Sequence, residues 1–106
     1  MGETTVNERE EIDLCDKHIK KKQKSLIKPV QAFISCRSVE VDFNTALGII
    51  DISVYDETGN TVYWQSVNAY AGLQVFIDIA SFDEGWYTIE FVDSQGRYLS
   101  GDFEIL

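Results

Sequence analysis

The stretch SVEVDF, Ser38 to Phe43, decides the fold. Val39, Val41 and Phe43 fall on one side of an extended chain, and Glu40 and Asp42 on the other. Successive side chains of a strand point to opposite faces, so this spelling predicts a strand with one dry face and one wet face. The same rhythm recurs along the chain. IIDISVY sets Ile50, Ile52 and Val54 against Asp51 and Ser53, and LQVFIDIA sets Leu73, Val75, Ile77 and Ile79 against Gln74, Phe76 and Asp78. WYTIEFVD sets Tyr87, Ile89 and Phe91 against Thr88 and Glu90, and YLSGDFEI sets Leu99, Phe103 and Ile105 against Ser100, Asp102 and Glu104. VQAFIS and TVYWQSV read as strands with apolar residues on both faces.

Half-dry strands need a facing layer, so the reading is all-β. It is an immunoglobulin-like β-sandwich of about seven antiparallel strands in two sheets. The turns agree. Asp56–Asn60 and Asp93–Arg97 each carry a glycine, Gly59 and Gly96, suited to the positive φ of a tight hairpin. Ser81–Gly85 is longer and reads as a crossing between sheets, with Phe82 plugging the end of the core. Tyr87 follows that crossing, where such sandwiches often place a tyrosine whose hydroxyl bonds to backbone just upstream. Gly59, Gly85, Gly96 and Tyr87 are therefore expected to be structural.

The chain has 106 residues, 44% of them apolar, which suits one domain with one core. Two regimes meet near Pro29. Residues 1–28 form a charged arm, and residues 29–106 the sandwich. Within the arm, residues 1–16 carry six acids and one Arg, and residues 17–28 carry six Lys and no acid. The favoured reading is a short edge strand near 11–14 followed by a Lys-rich loop over 17–28. The alternatives are a helix, supported by the Asn7–Glu10 capping pair and the Asp13–Lys17 and Asp16–Lys20 spacings, or no regular structure.

Formal net charge is −9, and the body after Pro29 has twelve acids against Arg37 and Arg97. Such a surface repels phosphate backbones, so nucleic acid is not an expected partner. No apolar run reaches the ~20 residues of a membrane helix. The start, MGETTVNERE, lacks the layout of a secretion signal, but a removed leader would leave a start like this one. Cys15 and Cys36 lack metal-type spacing; in an oxidising compartment they could pair as one disulfide.

From Glu11 onward the chain resembles a family of short secreted Bacteroidetes proteins carried as a domain of unknown function. The resemblance rests on SVEVDF, DETGNTVYWQSV and GWYTIEFVDSQGRYLSGDFEIL. Its specific marks are Gly59, Asn60, Val62 and Tyr63, then Gly85, Tyr87, Thr88 and Ile89, then Gly96, Tyr98, Leu99, Gly101 and Phe103. A weaker similarity runs to Bacteroidetes C-terminal sorting domains, which share the Gly-x-Tyr-x-Ile pattern. The resemblance implies an immunoglobulin-like fold and export to the periplasm, cell surface or medium. It implies no activity, and no catalytic residue can be carried over from it.

Nothing in the residues calls for catalysis, a metal or a cofactor. The one histidine, His18, sits in the charged arm. The carboxylate pairs Asp56–Glu57 and Asp83–Glu84 fall in turns, where Asp serves the backbone. Aromatics are the richer signal. Tyr63, Trp64, Tyr70, Phe76, Trp86 and Tyr98 form a candidate contact surface, able to anchor a protein partner or to stack on sugar rings. The expected function is thus a non-enzymatic interaction or adhesion module of the cell envelope, the alternative being a carbohydrate-binding accessory module. Edge strands offer a further route, because a second copy can add to them.

Overall fold

Each alternating segment turns its apolar side toward one shared interior. The computed structural model describes residues 9–15, 28–35 and 37–106. It contains the strands β1 (Glu10–Ile12), β2 (Val30–Ile34), β3 (Ser38–Phe43), β4 (Gly48–Asp56), β5 (Thr61–Ala69), β6 (Gln74–Asp78), β7 (Gly85–Asp93) and β8 (Tyr98–Ile105). They form two four-stranded sheets, ordered β1-β2-β3-β6 and β5-β4-β7-β8. Every pairing is antiparallel.

The inner faces meet through Val39, Val41, Phe43 and Ile77 of the first sheet and Ile52, Val54, Ile89, Phe91 and Phe103 of the second, all buried. Phe43 and Phe91 join the sheets edge to face, with centroids 6.3 Å apart. At one end Tyr87 lies between two rings, 5.5 Å from Phe82 and 5.7 Å from Phe103. Its hydroxyl donates to the Asp83 carbonyl at 2.7 Å, closing the crossover from β6 to β7. Burial pushes the Tyr87 phenol up, and the nearby carboxylates of Asp83, Asp56 and Glu57 push the same way.

The hairpin turns are built by one device used twice. Asp56 accepts from the backbone N–H of Thr58 and of Asn60. Asp93 accepts from the N–H of Gln95 and of Arg97. Gly59 and Gly96 then take φ values of +90° and +82°, where a side chain would be strained. Gly85 opens β7 beside the Glu57 carboxylate.

The arm contributes β1, which begins one residue ahead of the 11–14 edge strand expected from the sequence. Ile12 is buried and Leu14 packs against the core. The chain then crosses to the other sheet, where the backbones of Cys15 and Ser100 exchange two hydrogen bonds, of 2.9 and 3.0 Å. This crossing buries Ser100, which the alternation places on the wet face of β8. It also explains Gly101. A methyl there would collide with the Asp13 carbonyl and lie 2.9 Å from Ile12 Cγ2 and 3.0 Å from Leu14 Cδ2. Close approach of two backbones needs a residue without Cβ. The capping pair at Asn7, the Lys-rich loop and His18 lie outside the described residues.

Of the two cysteines in the disulfide reading, Cys15 is exposed and Cys36 lies outside the described residues.

Two substitutions test this packing. Ile89→Ala, at a fully buried central position, is expected to lower unfolding free energy by about 2–5 kcal/mol in urea titration. Gly101→Ala is expected to cost about 1–3 kcal/mol and to speed amide exchange at Cys15, because the arm must lift off β8.

Candidate functional site

The six aromatics proposed as a contact surface do not form one cluster. Trp64, Tyr70, Phe76 and Trp86 are exposed, at 60%, 59%, 60% and 50%. Phe76 stands on the outer face of the first sheet. Tyr70 lies in the loop between β5 and β6. Trp64 and Trp86 stand on the outer face of the second sheet. Tyr98 shares that face but is half-buried, beside a cleft at the end of the sandwich.

Tyr63 is a correction. It pairs with Val54, whose side chain points inward, so Tyr63 points inward too and packs against the core. Burial pushes its phenol up, and its hydroxyl donates to Gln65 Oε1. TVYWQSV has apolar residues on both faces, so alternation could not decide between Tyr63 and Trp64. The decision comes from the pairing with β4.

Register orders the outer face of the second sheet. Trp64, Ser53, Glu90 and Ser100 form one row across β5, β4, β7 and β8. Tyr55 pairs with Thr88 two residues further along, and Trp86 lies two residues beyond that. Trp64, Tyr55 and Trp86 therefore run diagonally over three neighbouring strands. Diagonal neighbours in a sheet lie ~7–8 Å apart, within reach of aromatic side chains. Tyr55 is the member that the sequence reading missed. The signal was present: Tyr55 shares the parity of Asp51 and Ser53.

The outer face of the first sheet is more polar. Glu11, Phe33, Glu40 and Phe76 form a row. The Arg9 guanidinium sits over the Phe33 ring, 4.1 Å from its centroid, and pairs with Glu40 at 2.8 Å. Phe33 is thus partly covered, and Glu40 separates it from Phe76.

Several carboxylates are engaged in holding the fold. Bonds from the Thr58 hydroxyl and from the Asn60 and Thr58 N–H groups hold Asp56 below the ordinary Asp value. For Asp93, burial pushes upward, but bonds from the Arg97 side chain, Arg97 N–H and Gln95 N–H bring the net shift down. Bonds from Gln31 and Lys28 lower Glu11. Glu57 accepts from the Trp86 N–H at 3.3 Å. No group of three or more metal-ligating side chains converges among the described residues.

The end cleft has a volume of about 280 Å³ and is lined by Val30, Leu47, Ile50, Phe91 and Leu99, among others. Its charged lining groups, Asp93 and Arg97, are bound to each other at 2.8 Å. Among the described residues no helix is long and apolar enough to cross a membrane.

Comparison with known proteins agrees with this geometry. The family described as a domain of unknown function, DUF3244, matches residues 14–105. No curated protein matches. Among solved structures the chain is similar to a DUF3244 family protein from Bacteroides vulgatus, described as having an immunoglobulin-like β-sandwich fold. The TM-score is 0.76 at 17% identity, covering 93% of this chain and 100% of that one.

The lowered carboxylates carry a pH consequence. A carboxyl with a depressed folded pKa stabilises the fold above its ordinary value of 3.8 and loses that contribution as pH falls. The melting temperature is expected to hold near neutrality and to decline below that value. Asp56→Asn should show a lower melting temperature near neutrality and a shallower decline in acid, read by circular dichroism.

Proposed function

This chain belongs to the DUF3244 family, and from that premise we propose that it is an exported, non-enzymatic recognition module of the cell envelope. The observation that carries the reading is the outer face of the second sheet, where Trp64 and Trp86 stand exposed with Tyr55 between them. Large aromatics held on a rigid sheet lose little conformational entropy on contact, and they dominate the energetics of interfaces. Here they do not serve the core, so a partner is their physical rationale. Export to the periplasm or surface is the part of the reading that rests on the resemblance to secreted Bacteroidetes proteins.

The proposed partner is a protein surface of the envelope. The face also carries Asp51, Glu90, Asp102 and Glu104, which favour a neutral or basic partner and oppose nucleic acid. The Asp56 and Asp93 carboxyls are occupied in turns, which supports binding rather than acid–base chemistry. The diagonal of Trp64, Tyr55 and Trp86 favours a second reading, a platform on which successive sugar rings stack. That reading would make the protein a carbohydrate-binding accessory module.

One comparison separates these readings. The labelled protein is expected to bind cell-envelope fractions saturably, to give no signal on a glycan array, and to lose most of its envelope binding on Trp86→Ala. Glycan binding lost in the same variant would favour the carbohydrate reading. Envelope binding indifferent to Trp86→Ala would remove this face from the function.

A further inference from the structure

Two sheets of four strands have four edges, and the chain guards three of them. β1 is three residues long and ends where the arm crosses over. β8 is covered by that crossing through the Cys15–Ser100 bridge and presents Asp102 and Glu104 on its outer face. β6 is five residues long and carries Asp78 at its end. Short edges, charges and covering segments are how sheets avoid pairing with other chains.

Among the described residues β5 has none of these. It runs nine residues, TVYWQSVNA, without a charge or a proline, in a chain of net charge −9. Among the described strands it pairs with β4 alone. Its register shift opposite Val54 and Tyr55 sits near its start and leaves the rest straight. The Ala69 carbonyl accepts from Leu47 N–H and so points toward β4. By the alternation of an antiparallel ladder, the N–H and C=O groups of Trp64, Ser66 and Asn68 then point to the open side.

We infer that β5 is a homodimerisation strand. It pairs antiparallel with β5 of a second copy about a two-fold axis at Gln65 and joins the two sheets into one of eight strands. That register pairs Tyr63 to Val67 in step, and the extra residue at Val62 ends the regular ladder. Gln65 faces Gln65, Trp64 faces Ser66 and Tyr63 faces Val67. No pair sets two charges together, and an aromatic meets a β-branched residue, a favourable cross-strand combination. The two Trp64 side chains fall diagonally across the axis, a separation that aromatic side chains span. A two-fold contact needs a self-complementary patch, and this strand is one. Charge favours a second copy on this edge over any other surface, because both outer faces and the remaining edges would set acid against acid.

This inference rests on the reading of the protein as an interaction module, but it uses β5 where that reading is tested on β7. The full chain is expected to sediment as a dimer at high concentration in about 0.15 M salt or above, where acidic repulsion is screened. Gln65→Lys and Gln65→Glu each set like charges face to face on the axis, so each alone should be monomeric. Mixed in equal amounts they should restore the dimer as a heterodimer. The Trp86→Ala chain should dimerise as wild type does, whatever it does on envelope fractions. In wild type the amides of Trp64 and Ser66 should gain protection from hydrogen exchange as concentration rises, a readout that needs no variant. A monomer at every concentration, a Gln65→Lys chain that still dimerises, a mixture that stays monomeric, or exchange at Trp64 and Ser66 independent of concentration would each overturn the assignment.

Discussion

Neither sheet can exist without the other. Every strand of β2 to β8 has an apolar side, and water must be excluded from all of them at once. Facing the sheets does this in a single step. Val39, Val41 and Ile77 then oppose Ile52, Val54 and Ile89, and Phe43 meets Phe91 across the gap. The core is almost wholly hydrocarbon, which leaves the surface to do whatever the protein does. The Tyr87 hydroxyl, carried into this interior, is satisfied by the Asp83 carbonyl.

Closure is the second consequence of two layers. A sandwich has open flanks, and among the described residues a strap seals one of them. The arm leaves the first sheet after Ile12, crosses, and bonds to Ser100 of the second. Gly101 makes room for that crossing, so a glycine in the family-like Gly-x-Tyr-Leu-x-Gly-x-Phe pattern has a packing reason. The opposite flank, with β5 and β6, has no such strap among the described residues. The protein is thus asymmetric: one flank is tied shut and acidic, and the other ends in a long uncharged strand.

The surface reading follows from the same frame. Asp56 and Asp93 are held in their turns by the Thr58 hydroxyl and the Arg97 guanidinium, together with backbone N–H groups, which explains their lowered pKa values without invoking chemistry. Exposed aromatics on a strand's outer face have no such explanation, and they remain as the groups free to meet a partner. Their separation onto two faces and a loop means that one partner cannot use them all. Trp64 and Trp86 share a face; Phe76 looks the other way.

What the sequence determined by itself is the alternation, and with it most of the fold. The faces of Val39 to Phe43, Ile50 to Val54, Leu73 to Ile79 and Tyr87 to Phe91 were legible because a strand's period of two is a local property. The two hairpins and the Tyr87 corner were legible for a related reason: their bonds span only a few residues. Tertiary structure decided the rest, because those features depend on which strand lies beside which. The inward turn of Tyr63 and the outward turn of Trp64 come from register against β4. The burial of Ser100 comes from a segment far away in the chain, and the edge position of β5 among the described strands from its place last in the sheet. No pattern within β5 could reveal that last fact, since an edge is defined by the neighbour a strand lacks.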